Sequence, residues 1–248
     1  MNKSITMKTA LAALACTACV SASAQKQYPE QEKMKPGMSE YWTPQPKVVT
    51  PGDIKTNSAP SDAIVLFDGK DLSAWQNAKG GPAEWIVKDG VFTVDKKKGD
   101  ILTKQKFENF QLHIEWCVPE NITGTSQGRG NSGIFLHIQR DGIWPNCYEC
   151  QLWNGKAGDL IHSSGTESAE LRADSALIIL PKLEPSTEKP VGEWNTAEIV
   201  CSDSTITVHV NGQLQNRLTG LSNRQGFIGL QSEGGPVQFR NIILTPLD

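Results

Sequence analysis

The chain has 248 residues, and its 24 Lys and Arg residues nearly balance its 27 Asp and Glu residues to give a net charge of −3. Because no strong positive charge is present, nucleic acid is not an expected partner. Beyond the N-terminal apolar run no segment is long and apolar enough to cross a bilayer, so we expect no membrane span.

The N-terminus has the layout of a secretory signal peptide. Lys3 and Lys8 precede an apolar run over residues 9–20, and the small residues at 22–24 form a cleavage site. Residues 1–24 are therefore predicted to be removed, and the mature protein to be periplasmic or secreted. Cys16 and Cys19 offer the alternative of a lipid-anchored cysteine, but the residues before each fit such a site poorly.

Residues 25–61 form a polar arm in which prolines recur and exclude regular helix and central strand. We interpret this arm as extended, with Tyr41 and Trp42 as the aromatic pair that docks it. The alternative is an arm without fixed structure.

Residues 62–248 read as many short strands separated by turn signals. The clearest signals are the hairpin dipeptides Asp89-Gly90 and Asn211-Gly212, and the longest alternation of polar and apolar residues covers 110–118. One helical turn is predicted near Ala169, and no long helical pattern occurs. The pattern predicts an all-β domain built as a sandwich, jelly roll or barrel.

Four cysteines follow the predicted cleavage site: Cys117, Cys147, Cys150 and Cys201. The Cys147/Cys150 pair has the C-x-x-C spacing of redox and zinc sites, but three residues of extended chain span about 10 Å and point the two side chains to opposite faces. No second ligand pair at matching spacing accompanies it. We therefore expect structural cysteines, either paired with the other two or left as thiols.

The segment 147–153 places Glu149, Gln151 and Trp153 on one face of a strand. A carboxylate, an amide and an indole in a row suit the binding of a sugar or chemistry on it. If strands 110–118, 131–139 and 147–153 are neighbours, Glu115 and His137 join Glu149 on one surface. Two carboxylates and an imidazole there would suit acid–base work on a glycosidic bond, whereas a solvated strand face would carry the same residues without function.

The chain also resembles the 3-keto-disaccharide hydrolase-like family. The matching stretches occur in the family's order: 64–75 (IVLFDGKDLSAW), 110–116 (FQLHIEW), 131–135 (NSGIF), 148–152 (YECQL), 192–196 (GEWNT), 210–212 (VNG), 229–231 (GLQ) and 239–242 (FRNI). The resemblance implies a concanavalin A-like jelly-roll sandwich of two antiparallel sheets with a concave sugar-binding face. It further implies hydrolysis of glycosides whose sugar carries a ketone at C3.

A 3-keto group acidifies the C2 hydrogen, so a base can start an elimination that releases the group at C1 before water adds. On this basis Glu149, Glu115 and His137 are the predicted catalytic residues, and Arg240 or a divalent metal ion would stabilise the enolate. The remaining predicted substrate-binding residues are Asn131, Gln151, Trp153, Gln231, Glu233 and Arg129. The alternatives are a non-catalytic lectin-like carbohydrate-binding protein and a structural protein of the outer envelope that uses the arm as a tether.

Overall fold

The computed structural model describes residues 47–53, 58–120, 122, 128–139 and 145–247. The predicted signal peptide, its two cysteines and the Tyr41-Trp42 anchor lie outside these residues. The chain divides into two units, Met1–Lys47 and Val48–Asp248, and the fold below is that of the second. Within the described ranges no helix is long and apolar enough to cross a membrane.

The second unit is built from short strands, with one helix (α1, Ala169–Ala173) and one 3-10 turn (Lys96–Lys98) among the described residues. The helix begins where predicted, because Ser168 caps it by accepting the N–H of Leu171. The strands are β1 (Ile64–Phe67), β2 (Trp75–Asn77), β3 (Ile86–Lys88), β4 (Val91–Thr93), β5 (Ile101–Phe107), β6 (Phe110–Cys117), β7 (Gly133–Ile138), β8 (Tyr148–Gln151), β9 (Leu160–His162), β10 (Ile179–Leu180), β11 (Trp194–Ser202), β12 (Thr205–Val210), β13 (Gln213–Leu218), β14 (Gly226–Leu230) and β15 (Gln238–Pro246).

Turn chemistry sets the hairpins between these strands. Asp89 and Gly90, between β3 and β4, both have positive φ, of 52° and 79°. Asn211 and Gly212, between β12 and β13, have φ of 48° and 84°. Two successive left-handed residues give the turn whose twist matches a β-hairpin, which is why Asn-Gly and Asp-Gly predicted these positions.

The strands form two antiparallel sheets. The eight-stranded sheet runs β13-β12-β11-β6-β15-β4-β3, with β1 also paired to β15, and the seven-stranded sheet runs β10-β9-β8-β7-β14-β5-β2. The chain passes repeatedly from one sheet to the other, for example between β5 and β6, between β6 and β7, and on both sides of β14. This exchange builds a jelly-roll sandwich of the concanavalin A-like class and confirms the predicted all-β fold.

The core lies between the two sheets. The alternation in β6 buries Leu112, Ile114 and Trp116 completely, while Gln111 and His113 face outward. From the opposite sheet Leu136 and other inward residues meet them in one continuous apolar cluster. Burial of one face of each strand is the main stabilising contribution to such a sandwich.

All four described cysteines are buried free thiols. Cys150 on β8 and Cys201 on β11 belong to the core cluster between the sheets, and burial raises the pKa of the Cys150 thiol to about 12. Burial also raises the pKa of the Cys147 thiol. Protonated, buried thiols are poor nucleophiles and poor metal ligands, so the expectation of structural cysteines is confirmed in its thiol form.

The predicted adjacency of strands 110–118, 131–139 and 147–153 is only half right. β7 and β8 pair directly, but β6 lies in the other sheet between β11 and β15. The chain crosses from one layer of the sandwich to the other between β6 and β7, so consecutive strands there are not neighbours.

Candidate active site

The register of the seven-stranded sheet defines a row of side chains around Glu149. Glu149 on β8 pairs with Phe135 on β7 and with Ile161 on β9, and Ile161 pairs with Ile179 on β10. The neighbours of Glu149 along β8 point into the core, so this row lies on the outer face of the sheet.

This outer face carries a cavity of about 590 Å³. Its lining residues come from β8, β9 and β10 and from the segments next to β7 and β14: Asn131, Glu149, Gln151, Trp153, Lys156, Asp159, Ile161, His162, Ser163, Ser164, Ile178, Ile179, Gln231 and Glu233. A second cavity of about 210 Å³ adjoins it and adds Lys96, Asp100, Phe135, Pro145 and Ser232. Glu149, Ser163, Gln231 and Glu233 line both cavities.

Glu149 stands where the two cavities meet and is only 4% exposed. Its Oε1 atom is buried without a hydrogen-bond partner among the described residues. Burial, reinforced by the carboxylates of Glu233 and Asp100, raises the pKa of Glu149 to about 8. A carboxyl in such surroundings is protonated at neutral pH and can act as an acid.

Gly133 makes room for this carboxyl. It pairs with Gln151 on the neighbouring strand, and a Cβ atom built on it would overlap the Glu149 carboxylate. Any side chain at position 133 would therefore displace Glu149. The glycine in the sequence motif NSGIF is therefore needed at this position because the Glu149 carboxyl occupies the space beside it in the folded structure.

Glu233 is the second carboxylate of the site. Its Oε2 atom accepts a hydrogen bond of 2.7 Å from the Asn131 amide. Burial raises the pKa of Glu233, and the nearby Lys96 ammonium opposes that rise. The pKa values of Glu149 and Glu233 are thus shifted in the same direction, and Glu233, which is less buried, has an opposing cation near it.

Three buried polar atoms in this cavity have no hydrogen-bond partner within the described ranges: Glu149 Oε1, Trp153 Nε1 and Gln231 Oε1. Buried polar groups in proteins are nearly always satisfied, so a cluster of unsatisfied ones beside one cavity fits either ordered water or a polar ligand there. The Trp153 ring also carries the Arg129 guanidinium at 5.0 Å from the ring centroid. Gln151 uses its side-chain oxygen to accept the N–H groups of Leu152 and Trp153, each at 2.9 Å.

Glu115 and Arg240 do not line this cavity, so the prediction that Glu115 shares a surface with Glu149 is wrong, and Arg240 is not placed to stabilise an enolate beside Glu149. They lie on β6 and β15, in the opposite sheet. There Arg240 Nε donates to Glu115 at 2.7 Å, Asn241 donates to the other carboxylate oxygen at 2.7 Å, and the guanidinium stacks 4.0 Å from the centroid of the Trp194 ring. These residues form an ion-pair network on the outer face of that sheet.

The prediction that His137 shares the surface of Glu149 is also wrong. Between Phe135 and Ile138 the strand β7 has one residue more than the facing segment of β14, and His137 has a positive φ of 55°. This bulge turns the ring inward, where it meets Phe110 edge-on and its two nitrogens lie 3.1 Å from main-chain oxygens. Burial lowers the pKa of His137 and the two main-chain oxygens oppose that fall, so both ring nitrogens are engaged within the fold and neither faces the cavity.

Of the predicted site residues, Asn131, Glu149, Gln151, Trp153, Gln231 and Glu233 therefore line the main cavity, with Arg129 stacked on Trp153. The prediction missed the side chains contributed from elsewhere in the chain, above all Asp100 and Ile179. Asp100 precedes β5 and Ile179 lies on a two-residue edge strand, and neither has a local sequence signal. Only the sheet register brings them to Glu149.

A divalent metal ion is not supported by the described residues. Within them no group of three or more His, Cys, Asp or Glu side chains is arranged to hold a metal ion. Asp100 already accepts the N–H and hydroxyl of Ser232, and Glu233 accepts from Asn131.

A jelly-roll sandwich with a cavity on the outer face of one sheet and a buried carboxyl in that cavity has the architecture of a carbohydrate-processing enzyme of the glycoside hydrolase class. Residues 62–245 match the sequence model of the 3-keto-alpha-glucoside-1,2-lyase-like domain, and the chain belongs to that family. This confirms the resemblance found in the sequence motifs.

Individual relatives agree with this assignment. A curated 3-keto-disaccharide hydrolase from Bacteroides thetaiotaomicron is 27% identical over 236 residues, which cover 75% of this chain and 78% of the relative. A crystal structure from Parabacteroides distasonis, provisionally named a glycosyl hydrolase, is 41% identical with a TM-score of 0.67 and covers 89% of this chain and all of the other. A second protein of that organism with the same provisional name is 26% identical with a TM-score of 0.54, over 75% of this chain and 99% of the other.

Proposed function

We propose that this enzyme cleaves 3-keto-glycosides by elimination followed by hydration, with Glu149 as the acid that protonates the leaving oxygen. The observation that carries the proposal is the buried Glu149 carboxyl, whose pKa of about 8 keeps its proton at neutral pH. The family assignment and the name of the Bacteroides relative support the keto-sugar substrate.

The first half-reaction needs a base and an acid at once. Glu233 removes the C2 proton, which the C3 ketone acidifies, and the electron pair forms a C1=C2 double bond while the C1–O bond breaks. Glu149 delivers its proton to the departing oxygen. The Lys96 ammonium near Glu233 favours the ionised form that a base requires.

The second half-reaction restores both groups. Water adds its hydroxyl to C1 and Glu149 takes the proton that water loses, while Glu233 returns its proton to C2. Asn131, Gln151, Trp153 and Gln231 hold the sugar hydroxyls and the carbonyl oxygen during both steps. The unpartnered Trp153 Nε1–H is suited to donate to an oxygen that gains negative charge.

The test is turnover of 3-keto-trehalose and of a 3-keto-glucoside, measured as released sugar with and without added divalent metal. We expect Glu149→Gln to reduce kcat by at least about a hundredfold, because general acid catalysis typically contributes 10² or more. Glu115→Gln is the matched control and should keep wild-type activity. Tight binding of keto-sugars without turnover under every metal condition would instead support the lectin-like alternative.

Two further readouts test the mechanism. A substrate deuterated at C2 should react several-fold more slowly, since breaking the C2–H bond is the proposed first step. The value of kcat/KM should fall above about pH 8, where Glu149 loses its proton. An activity that rises through pH 9 with no isotope effect would rule out Glu149 as the acid in an elimination.

Export is proposed on the N-terminal sequence alone. The layout of residues 1–24 supports cleavage before Gln25 and a periplasmic or secreted enzyme. Determination of the N-terminal residue of protein isolated from its native host tests this, and a lipid-modified cysteine at that terminus would favour the anchored form.

A further inference from the structure

We propose that the aglycone released by this enzyme is apolar and that it binds against a wall of three isoleucines, Ile161, Ile178 and Ile179. This inference rests on the proposed function, because it assigns the part of the substrate that leaves from Glu149. It adds a substrate class, the 3-keto-glycosides of alkyl or aryl alcohols, to the proposed chemistry.

The position of the wall relative to Glu149 follows from the sheet register. Ile161 pairs with Glu149, and Ile179 pairs with Ile161, so the two isoleucines extend from the acid toward the edge of the sheet. Adjacent strands lie about 4.8 Å apart, so the wall extends about 10 Å from the β8 backbone. That is about the span of one six-membered ring and its substituent.

The polar groups approach Glu149 from a different side. Asn131 precedes β7, Gln151 ends β8 and Gln231 follows β14. Because β7 runs antiparallel to both neighbours, these three residues lie side by side at one end of the three strands. The oxygen that joins sugar and aglycone must lie at Glu149. The sugar therefore meets the amides and Glu233, and the aglycone meets the isoleucines.

Exposure of the wall supports a ligand there. Ile178 is 56% exposed and Ile179 is 53% exposed, and both line the cavity that contains the catalytic carboxyl. Single exposed apolar residues are common on proteins and need no explanation, as with Ile86 on β3 at 59%. The isoleucines differ from Ile86 because all three line the cavity that contains Glu149.

Two polar side chains on this side of the cavity are engaged within the fold: His162 by the Ile178 main-chain oxygen and the Ser168 hydroxyl, and Asp159 by two lysines. The Asp159 carboxylate accepts the Lys182 N–H at 2.9 Å and lies 3.6 Å and 4.0 Å from the ammonium groups of Lys182 and Lys156. A second sugar ring against the isoleucines would lose water from its hydroxyls and gain few hydrogen bonds in return. An alkyl or aryl ring would lose no hydrogen bonds and would cover the exposed side chains.

The test compares cyclohexyl 3-keto-glucoside, as both anomers, with 3-keto-trehalose. A cyclohexyl alcohol is a poorer leaving group than a sugar, so a preference for it cannot come from leaving-group chemistry. We expect Ile179→Asn to raise KM for the cyclohexyl substrate about tenfold, as is typical when apolar contact in a pocket is lost, and to leave KM for 3-keto-trehalose unchanged. Ile86→Asn, a similarly exposed isoleucine on the opposite sheet, is the control and should change neither.

The outcomes separate this inference from the proposed function. The enzyme could turn over both substrates, prefer the disaccharide and show no effect of Ile179→Asn. That result would contradict the inference that the aglycone is apolar, but it would still support the proposed 3-keto-glycosidase activity. Absence of turnover with every keto-glycoside overturns the proposed function, and the inference falls with it. In the Glu149→Gln variant, calorimetry should still show that cyclohexyl 3-keto-glucoside binds more tightly than 3-keto-trehalose, and the reverse order would contradict the inference.

Discussion

Glu149→Gln should stabilise the folded protein at neutral and alkaline pH while it removes activity. Glu149 is nearly completely buried, and its carboxyl has a pKa of about 8 in the folded state against the ordinary 4.5 of glutamate. The folded state therefore binds this proton more tightly than the unfolded state. Glutamine has nearly the same shape and carries no charge at any pH.

The sign and size follow from proton linkage. In the wild type, protonation of Glu149 makes its full contribution to the free energy of unfolding below pH 4.5. This contribution decreases as the pH rises from 4.5 to about 8, and the free energy of unfolding stays at the lower value above that pH. Each pH unit of difference corresponds to about 1.4 kcal/mol, so the loss has an upper limit of about 5 kcal/mol. Relaxation and water entry in a real cavity reduce this, and we expect a gain of about 2–4 kcal/mol for the variant at pH 8.5.

The assay is urea denaturation of wild type and Glu149→Gln at pH 5 and pH 8.5. The stability difference between the two proteins should be small at pH 5 and should grow to the stated range at pH 8.5. Glu84→Gln is the control, since Glu84 is an exposed glutamate paired with Lys98 and its removal should cost under about 1 kcal/mol at either pH. A difference between wild type and Glu149→Gln that does not change with pH would refute a raised pKa at Glu149.

Three other substitutions test the geometry. Gly133→Ala should lower kcat at least tenfold by displacing the Glu149 carboxyl, whereas Gly128→Ala, where a Cβ atom meets open space, should leave kinetics unchanged. Glu115→Gln should leave kcat and KM at wild-type values and lower the free energy of unfolding, because it removes an acceptor of the Arg240 and Asn241 hydrogen bonds on the opposite sheet. Tyr148→Phe should cost about 1–3 kcal/mol in urea denaturation, because the buried hydroxyl accepts the N–H of Ser222 and donates to the main chain of Glu167.

The sequence predicts the fold class well because the signals for it are local. The alternation in β6 and the Asp-Gly and Asn-Gly turns depend only on neighbouring residues, and the structure follows them closely. Strand partners are not local. β6 pairs with β11 and β15, which are far along the chain, and an alternating pattern carries no information about which strand lies beside it.

The same contrast between local signals and non-local strand pairing explains which residues of the candidate site are predicted correctly. The two-residue period of β8 predicts that Glu149 and Gln151 share one face, and the cavity lies on that face. The same rule gives the wrong face for His137, because one extra residue in β7 reverses the direction of its side chain. A bulge needs no special residue type here, since His137 itself adopts the left-handed conformation.

The bulge also accounts for the apolar surroundings of the Glu149 carboxyl. With His137 turned inward, Ile138 takes an outward position and joins Phe135, Leu102 and Cys147 in an apolar cluster on the outer face of the sheet. Phe135 pairs directly with Glu149, so this cluster places apolar side chains on one side of the carboxyl while Ile161 flanks the other. A polar His137 on that face would have admitted water and supplied a cation to the carboxylate. The burial that raises the pKa of Glu149 therefore depends on the inward rotation of His137, although His137 never touches the cavity.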